Sequence, residues 1–321
     1  MKQCLLGVDL GGTTIKLAFV NLEGVILHKW EIPTDLSDGG DYITRDIART
    51  IQEKATELGY SIDHIAGIGI GAPGPVDART GMVYEAVNLG WKEYPLREEL
   101  AEATGLPVIV ENDANIAALG EMWKGAGAGA QDLVCVTLGT GVGGGVIVNG
   151  GLATGCSGAA GEIGHMAVIL EGGYPCNCGK TGCLETVASA TGIVRLAMEN
   201  LHEHPGSSLA ACASREGVIT AKDVAVCAQE GDFYAASVLE QVSYYLGYAL
   251  ANVANVLNPE KIVIGGGVSK AGDVLVEQVI AYFNNFAFFR VRESTEISIA
   301  TLGNDAGIIG AAWLVKQKVL I

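Results

Sequence analysis

The chain is short of positive charge. Its 321 residues hold 20 Lys and Arg against 36 Asp and Glu, a formal net charge of −16. No basic stripe runs through it, which argues against nucleic acid or an anionic membrane as a partner. A phosphate ligand would have to be held by backbone N–H groups and a metal ion rather than by a lysine cluster. Charged residues make up only 17% and hydrophobic ones 49%, too apolar for a disordered chain and enough for a large core. Long hydrophobic runs are missing too. The apolar stretch before Asp9 is too short for a signal sequence. The longest apolar helical stretch, Tyr244 to Leu257, contains Asn252 and Asn255 and is too short for a bilayer. A cytoplasmic location is the default expectation. Proline is scarce, 8 residues against 45 glycines, and no G-X-Y period accompanies the glycines, so collagen is excluded. Also absent is a G-x-x-x-x-G-K-[ST] run, which excludes a Walker A loop.

What is present is an α/β alternation, and the glycines read as clustering at strand ends, where a backbone approaches something closely. The length suggests two domains at roughly 150 residues each. Cys4–Val8, Ile15–Val20 and Val25–Ile32 read as strands around the turn Asp9-Leu10-Gly11-Gly12-Thr13-Thr14. Leu133–Thr137 and Val146–Val148 repeat the pattern around Leu138-Gly139-Thr140-Gly141-Val142-Gly143-Gly144-Gly145. A strand–glycine turn–strand unit therefore opens each half, as a duplication would leave it. Tyr42–Leu58, Asn115–Lys124, Glu185–Leu201, Phe233–Leu257 and Ala306–Lys316 read as helices; Ile65–Ala72, Pro107–Glu111, Lys261–Ile264 and Glu296–Thr301 read as strands.

The chemistry gathers at a few places. Asp9 ends a strand and could orient a hydrated Mg²⁺. Gly11 and Gly12 let backbone fold round a phosphate to which Thr13 and Thr14 can donate; a plain hairpin turn is the alternative. Gly139, Thr140 and Gly141 repeat that grammar. Gly265-Gly266-Gly267, after a strand, could pass under a base or ribose or simply allow close packing. Two such hairpins and a nucleoside-binding glycine run resemble the actin, Hsp70 and hexokinase ATPase core. Asp113 falls near a helix N-terminus, which favours its ionised form, and beside Asn112 it could accept a proton from a sugar hydroxyl; helix capping explains the pair equally well. Cys176, Cys178 and Cys183, spaced C-x-C-x4-C among glycines with His165 upstream, match a Cys₃His zinc site. Cys156 has no motif partner and reads as a bystander. Cys4, Cys135, Cys212 and Cys227 read as small core residues. His28, His64, His202 and His204 read as surface residues.

Asp9–Thr13, Ala72-Pro73-Gly74-Pro75, Glu111–Asn115, Leu138–Gly145 and Glu162 to Glu185 occur in the order of the ROK family of repressors, open reading frames and sugar kinases. The resemblance covers essentially the whole chain and is greatest to the ATP-dependent glucokinases of Gram-positive bacteria. It implies a two-lobed fold: a smaller lobe over residues 1–113, onto which a C-terminal helix at 304–321 packs back, and a larger lobe over 114–303 carrying the zinc loop. It implies Asp113 as catalytic base, with Gly74, Asn112, Asp113, Glu162, His165 and Glu185 at the sugar. ATP would be held as its Mg²⁺ complex, and structural Zn²⁺ by His165, Cys176, Cys178 and Cys183. The partner would be glucose or a related hexose, and the assembly a homodimer or larger. The family's repressors carry a helix-turn-helix before the first hairpin; with that hairpin at Asp9 none is expected.

Overall fold

The computed structural model describes residues 4–320. Strands β1 (Cys4–Leu10), β2 (Thr14–Val20), β3 (Ile26–Pro33) and β4 (Ile65–Ala72) are followed by three short ones, β5 (Val76–Asp77), β6 (Met82–Ala86) and β7 (Trp91–Tyr94), and then by β8 (Val108–Asn112). The first sheet has the order β3-β2-β1-β4-β8. Its β1–β2 and β2–β3 pairs are antiparallel; β1–β4 and β4–β8 are parallel. β4 is buried at every position, as a central parallel strand covered on both faces must be. Strands β5 to β7 form a small antiparallel sheet of their own. Helix α1 (Ile43–Glu57) buries Ile43, Ile47, Ile51 and Ala55 as its period leads one to expect, whereas Leu58, expected on the same face, caps the helix and is exposed. Helices α2 (Leu96–Thr104) and α3 (Asp113–Lys124) flank β8 in sequence.

The second sheet takes β9 (Leu133–Leu138), β10 (Val142–Val148), β11 (Gly151–Leu152), β12 (Lys261–Gly265) and β13 (Glu296–Ile299) in the order β11-β10-β9-β12-β13. In both sheets the order is third, second, first, fourth, fifth, so the repeat read in the sequence is a repeat of topology. Five helices separate β11 from β12: α4 (Glu185–Ala188), α5 (Ala190–Glu199), α6 (Ser208–Glu216), α7 (Ala221–Gln229) and α8 (Phe233–Leu257). Then come α9 (Asp273–Phe286) and α10 (Phe289–Ser294) before β13, and α11 (Ala306–Val315) after it. Helix α8 has the bounds its pattern indicates because both ends are marked: Asp232 accepts from the Ala235 N–H at 2.9 Å, and Asn258 ends it at φ 47°.

The chain forms two compact units. One takes everything up to Gly129, then Gly145–Gly161 and the stretch from Leu302 onward; the other takes Ala130–Gly144 and Glu162–Thr301. The boundary expected at 113/114 therefore moves past α3. The reason is packing: α3 lies against α11 so closely that a Cβ on Gly310 would sit 1.7 Å from the Ile116 carbonyl oxygen. On its other side α11 meets β1 and β4, where a Cβ on Gly7 or Gly69 would fall 1.9 or 1.8 Å from the Ile308 or Ala311 carbonyl oxygen. Many glycines thus serve helix packing in mid-strand and mid-helix, and not only strand ends.

Several element boundaries also differ from those expected, and two of the changes lie near the glycine turn at 139–141. The helix expected over Glu185–Leu201 breaks at Ser189, whose side chain accepts from the Gly192 N–H at 3.0 Å and starts α5 afresh. Gly143 to Gly145 belong to β10 rather than to the turn. Cys4, Cys135, Cys212 and Cys227 are buried, as core thiols should be. Among the described residues, no helix is long and apolar enough to cross a membrane.

Candidate active site

In the first unit, the β1–β2 turn is closed by the Gly11 N–H donating to the Thr14 carbonyl at 3.1 Å. The Thr34 hydroxyl donates to the Gly11 carbonyl at 2.7 Å and the Thr34 N–H to the Thr13 carbonyl at 3.0 Å, so the residue that follows β3 braces the turn. Thr13 is exposed. Asp9 stands at the end of β1, 3.6 Å from the Lys16 ammonium; burial pushes its carboxyl up and Lys16 pulls it back. A Cβ on Gly12 would come 3.0 Å from the Asn88 amide nitrogen. Asn88 was invisible to sequence reasoning, because no motif surrounds it.

Asn112 and Asp113 divide the work that the sequence left open between them. Asn112 is the cap of α3. Its Oδ1 accepts from the Ala114 and Asn115 N–H groups at 2.9 and 3.3 Å, and its amide donates to the Gly74 carbonyl at 3.0 Å. Gly74 is at φ +84°, and a Cβ there would lie 2.1 Å from the Glu85 carbonyl oxygen, so only glycine fits. Asp113 is the first residue of α3 and opens to solvent, yet protein crowds it at longer range. Desolvation by that surrounding protein pushes its carboxyl up to about 6; the Ala114 N–H, 2.8 Å from Oδ1, opposes this, and the Asp9 carboxylate adds to it. The helix N-terminus favours the ionised form, as expected, but desolvation outweighs it. The result is a stronger proton acceptor that is still mostly ionised at neutral pH.

In the second unit, the Gly139–Gly141 turn is tied down by the Ala190 N–H donating to the Gly139 carbonyl at 2.8 Å, and by the Thr191 hydroxyl donating to the Thr140 carbonyl at 3.0 Å. Gly139 and Thr140 line a cavity of about 500 Å³ with Ala225, Val226, Gly267 and Ala271, and Lys222 and Lys270 on its wall. That is the size and the mostly apolar character of a small-molecule site. Of the three expected glycines only Gly267 lines it. Gly265 completes β12 opposite Thr137, and Gly266, at φ +87°, lets the chain pass Leu138, where a Cβ would meet the carbonyl oxygen at 2.4 Å. The walls from α7 escaped the sequence reading, since an amphipathic helix carries no sign of which cavity it borders.

Glu185 sits between this turn and the cysteine loop. Its Oε2 accepts from the Val142 N–H at 3.0 Å, and a Cβ on Gly141 would fall 2.2 Å from that same oxygen. Its Oε1 lies 3.9 Å from the Cys176 sulfur. The donor atoms of His165, Cys176, Cys178 and Cys183 all lie within 4.8 Å of one another. Cys178 Sγ is 3.6 Å from Cys183 Sγ, and Cys176 Sγ is 3.5 Å from His165 Nδ1. Bonds of about 2.3 Å to sulfur and 2.0 Å to nitrogen place tetrahedral ligand atoms roughly 3.5–3.8 Å apart, so the donor set fits a four-coordinate zinc ion. The other ring nitrogen, His165 Nε2, faces Glu162 Oε2 at 3.8 Å. Cys156 is exposed and outside the cluster.

The profile of the ROK family matches residues 5–318. The chain belongs to the ROK family. Among its relatives, the glucokinase of Halalkalibacterium halodurans is 58% identical over 312 residues, 97% of this chain and 94% of its own. The glucokinase of Thermotoga maritima is 39% identical over 321 residues, 99% of each chain. Among solved structures, a ROK family glucokinase from Streptomyces griseus in complex with glucose and AMPPNP superposes with a TM-score of 0.82 at 34% identity, covering 98% of this chain and 99% of that one. The α/β architecture with two like sheets is thus that of ROK sugar kinases.

Proposed function

We propose that the protein is a glucokinase, transferring the γ-phosphoryl group of ATP to the 6-hydroxyl of glucose. The observation that carries the reading is the full-length similarity to glucokinases, 58% identity over 97% of the chain in one case; Asp113, at the start of α3 with its carboxyl raised to about 6 and accepting from the Ala114 N–H, is suited to take a hydroxyl proton near neutral pH. The full-length similarity to glucokinases supports glucose as the acceptor.

Phosphoryl transfer needs positioning and charge neutralisation more than covalent help. Asn112 fixes the first turn of α3 to Gly74 and keeps one amide hydrogen for a sugar hydroxyl. Asp113 takes the proton of the attacking hydroxyl, so the oxygen bonds to phosphorus as the bond to ADP breaks. By the family resemblance, Glu162, His165 and Glu185 would also contact sugar hydroxyls. The nucleoside would lie in the cavity of Ala225, Val226 and Gly267, and the N–H groups of Thr140 and Gly141 would serve its phosphates, the Gly139 N–H being spent on the Gly141 carbonyl at 2.9 Å; by the family resemblance the Gly12–Thr13 turn would do likewise. Mg²⁺ bound with the nucleotide would neutralise phosphate charge, and Asp9, at the end of β1, is the carboxylate that would orient it. A zinc ion held by His165, Cys176, Cys178 and Cys183 would be structural, since these four ligands leave no open position for water, and it would fix the ring of His165 and the approach to Glu185.

A coupled ADP-release assay on glucose, mannose, fructose and N-acetylmannosamine tests the reading. The highest kcat/KM is expected on glucose; a higher value on N-acetylmannosamine would replace glucose as the acceptor, and no turnover on any hexose would reject the enzyme.

A further inference from the structure

A second cavity, about 790 Å³, lies within the first unit. Residues Val108 to Glu111 of β8 form one wall, and Leu119, Leu152 and Trp313 give it apolar surface. None of Asp9, Gly74, Asn112 and Asp113 lines it, so it is separate from the acceptor site argued above.

Its charge is unusual for this chain. Arg79, Arg97 and Lys318 line it against a single carboxylate, Glu111, in a protein with only 20 Lys and Arg and a net charge of −16. These cations are not used up internally. Arg79 is 89% exposed and meets Asp77 only at 3.5 Å. Arg97 gives its terminal nitrogens to the Arg79 and Ala78 carbonyls and leaves its buried Nε–H without a partner. Lys318 lies within electrostatic reach of Glu111.

Glu111 narrows the ligand class further. It is 95% buried, and its Oε1 accepts from the Asn112 N–H and the Asn115 amide, each at 2.9 Å. A bare anion would face this carboxylate with nothing to donate. A ligand with both a phosphate and hydroxyls satisfies the cations and the carboxylate together.

We propose that this cavity is a binding site for a small phosphate-bearing polyol, a sugar phosphate in class, with the phosphate on Arg79, Arg97 and Lys318 and a hydroxyl on Glu111. Its occupancy is felt at the acceptor site, because the carboxylate it engages also holds the backbone N–H of Asn112. The inference goes beyond the kinase reading and does not need turnover to be tested.

The test is equilibrium dialysis of labelled glucose 6-phosphate against the whole protein, with glucose in saturating excess to keep the probe off the acceptor site. Two variants report on the cavity: Arg79→Gln with Lys318→Gln, which removes charge from exposed positions, and Leu152→Trp, which fills space without changing charge. The native protein should bind about one equivalent despite the glucose. Both variants should weaken that binding at least ~10-fold, the size of a lost charge-assisted contact, while kcat without added ligand stays unchanged. Absence of glucose-resistant binding, or binding that neither variant alters, overturns the site. Inorganic phosphate binding as tightly as glucose 6-phosphate overturns the polyol class. Failure of the protein to bind glucose in the same dialysis would strike the acceptor site instead, so the two readings fail separately.

Discussion

Asp113 shows how a single position can carry a reaction and a cost together. Its carboxyl titrates near 6, so the base is lost as pH falls through that value, well before an ordinary carboxylate would be. The kcat/KM for glucose should therefore show an acid limb with an apparent pKa near 6, and a limb near 4 would contradict the assignment. Asp113→Asn keeps the shape and should lower kcat by at least ~10²-fold with glucose still bound. The same raised pKa has a sign for stability. Folding disfavours the ionised form, so the penalty is absent below about 3.8, grows between there and about 6, and is complete above. Asp113→Asn should then melt higher than the native protein at pH 8 and no higher at pH 4; equal melting at both would show that the shift is not a folding cost.

At the scale of elements, the Gly139–Gly141 turn and the start of α4 act as one device through Glu185. The carboxylate that would hold a sugar hydroxyl also accepts from the Val142 N–H, and the space it occupies is the space a side chain at position 141 would need. Gly141→Ala should raise the KM for glucose as well as for ATP. Gly12→Val, crowding Asn88 and the open turn, should raise the KM for ATP alone. Titration of glucose without nucleotide separates them, and unaltered glucose binding by Gly141→Ala would break the proposed link. The cysteine loop makes the second element-level claim. Cys178→Ala should lose metal, loosen His165 and Glu185, and weaken glucose binding without any chelator; zinc content near zero in freshly prepared native protein would remove its basis.

For the whole molecule, α11 is the piece that chain order hides. It comes last in sequence and packs into the first unit against β1, β4 and α3, with carbonyl oxygens where Cβ atoms would otherwise stand. Gly69→Ala and Gly310→Ala should each cost about 1–3 kcal/mol or more, since backbone rather than a flexible side chain must yield. A melting temperature within a degree of native for both would show that the helix can shift at no cost.

The sequence by itself determined the parts whose signals are local. Alternating strands with glycine turns, the 3.6-residue period of α1, the capped span of α8, and three thiols within eight residues are each written in a short window of chain. The same locality made the duplicated hairpins legible, and the fold class with them. Only the tertiary structure decided which distant windows meet. It gave helix capping to Asn112 and left Asp113 with a raised carboxyl, because that shift depends on surrounding protein and on Asp9, 104 positions away. It set Gly266 tightly against Leu138, placed Gly267 on the cavity wall, and brought α7 to that wall as well. It carried α3 into the first unit, since α11 returns there. Desolvation and close packing sum over all neighbours in space, and a linear pattern records only neighbours along the chain.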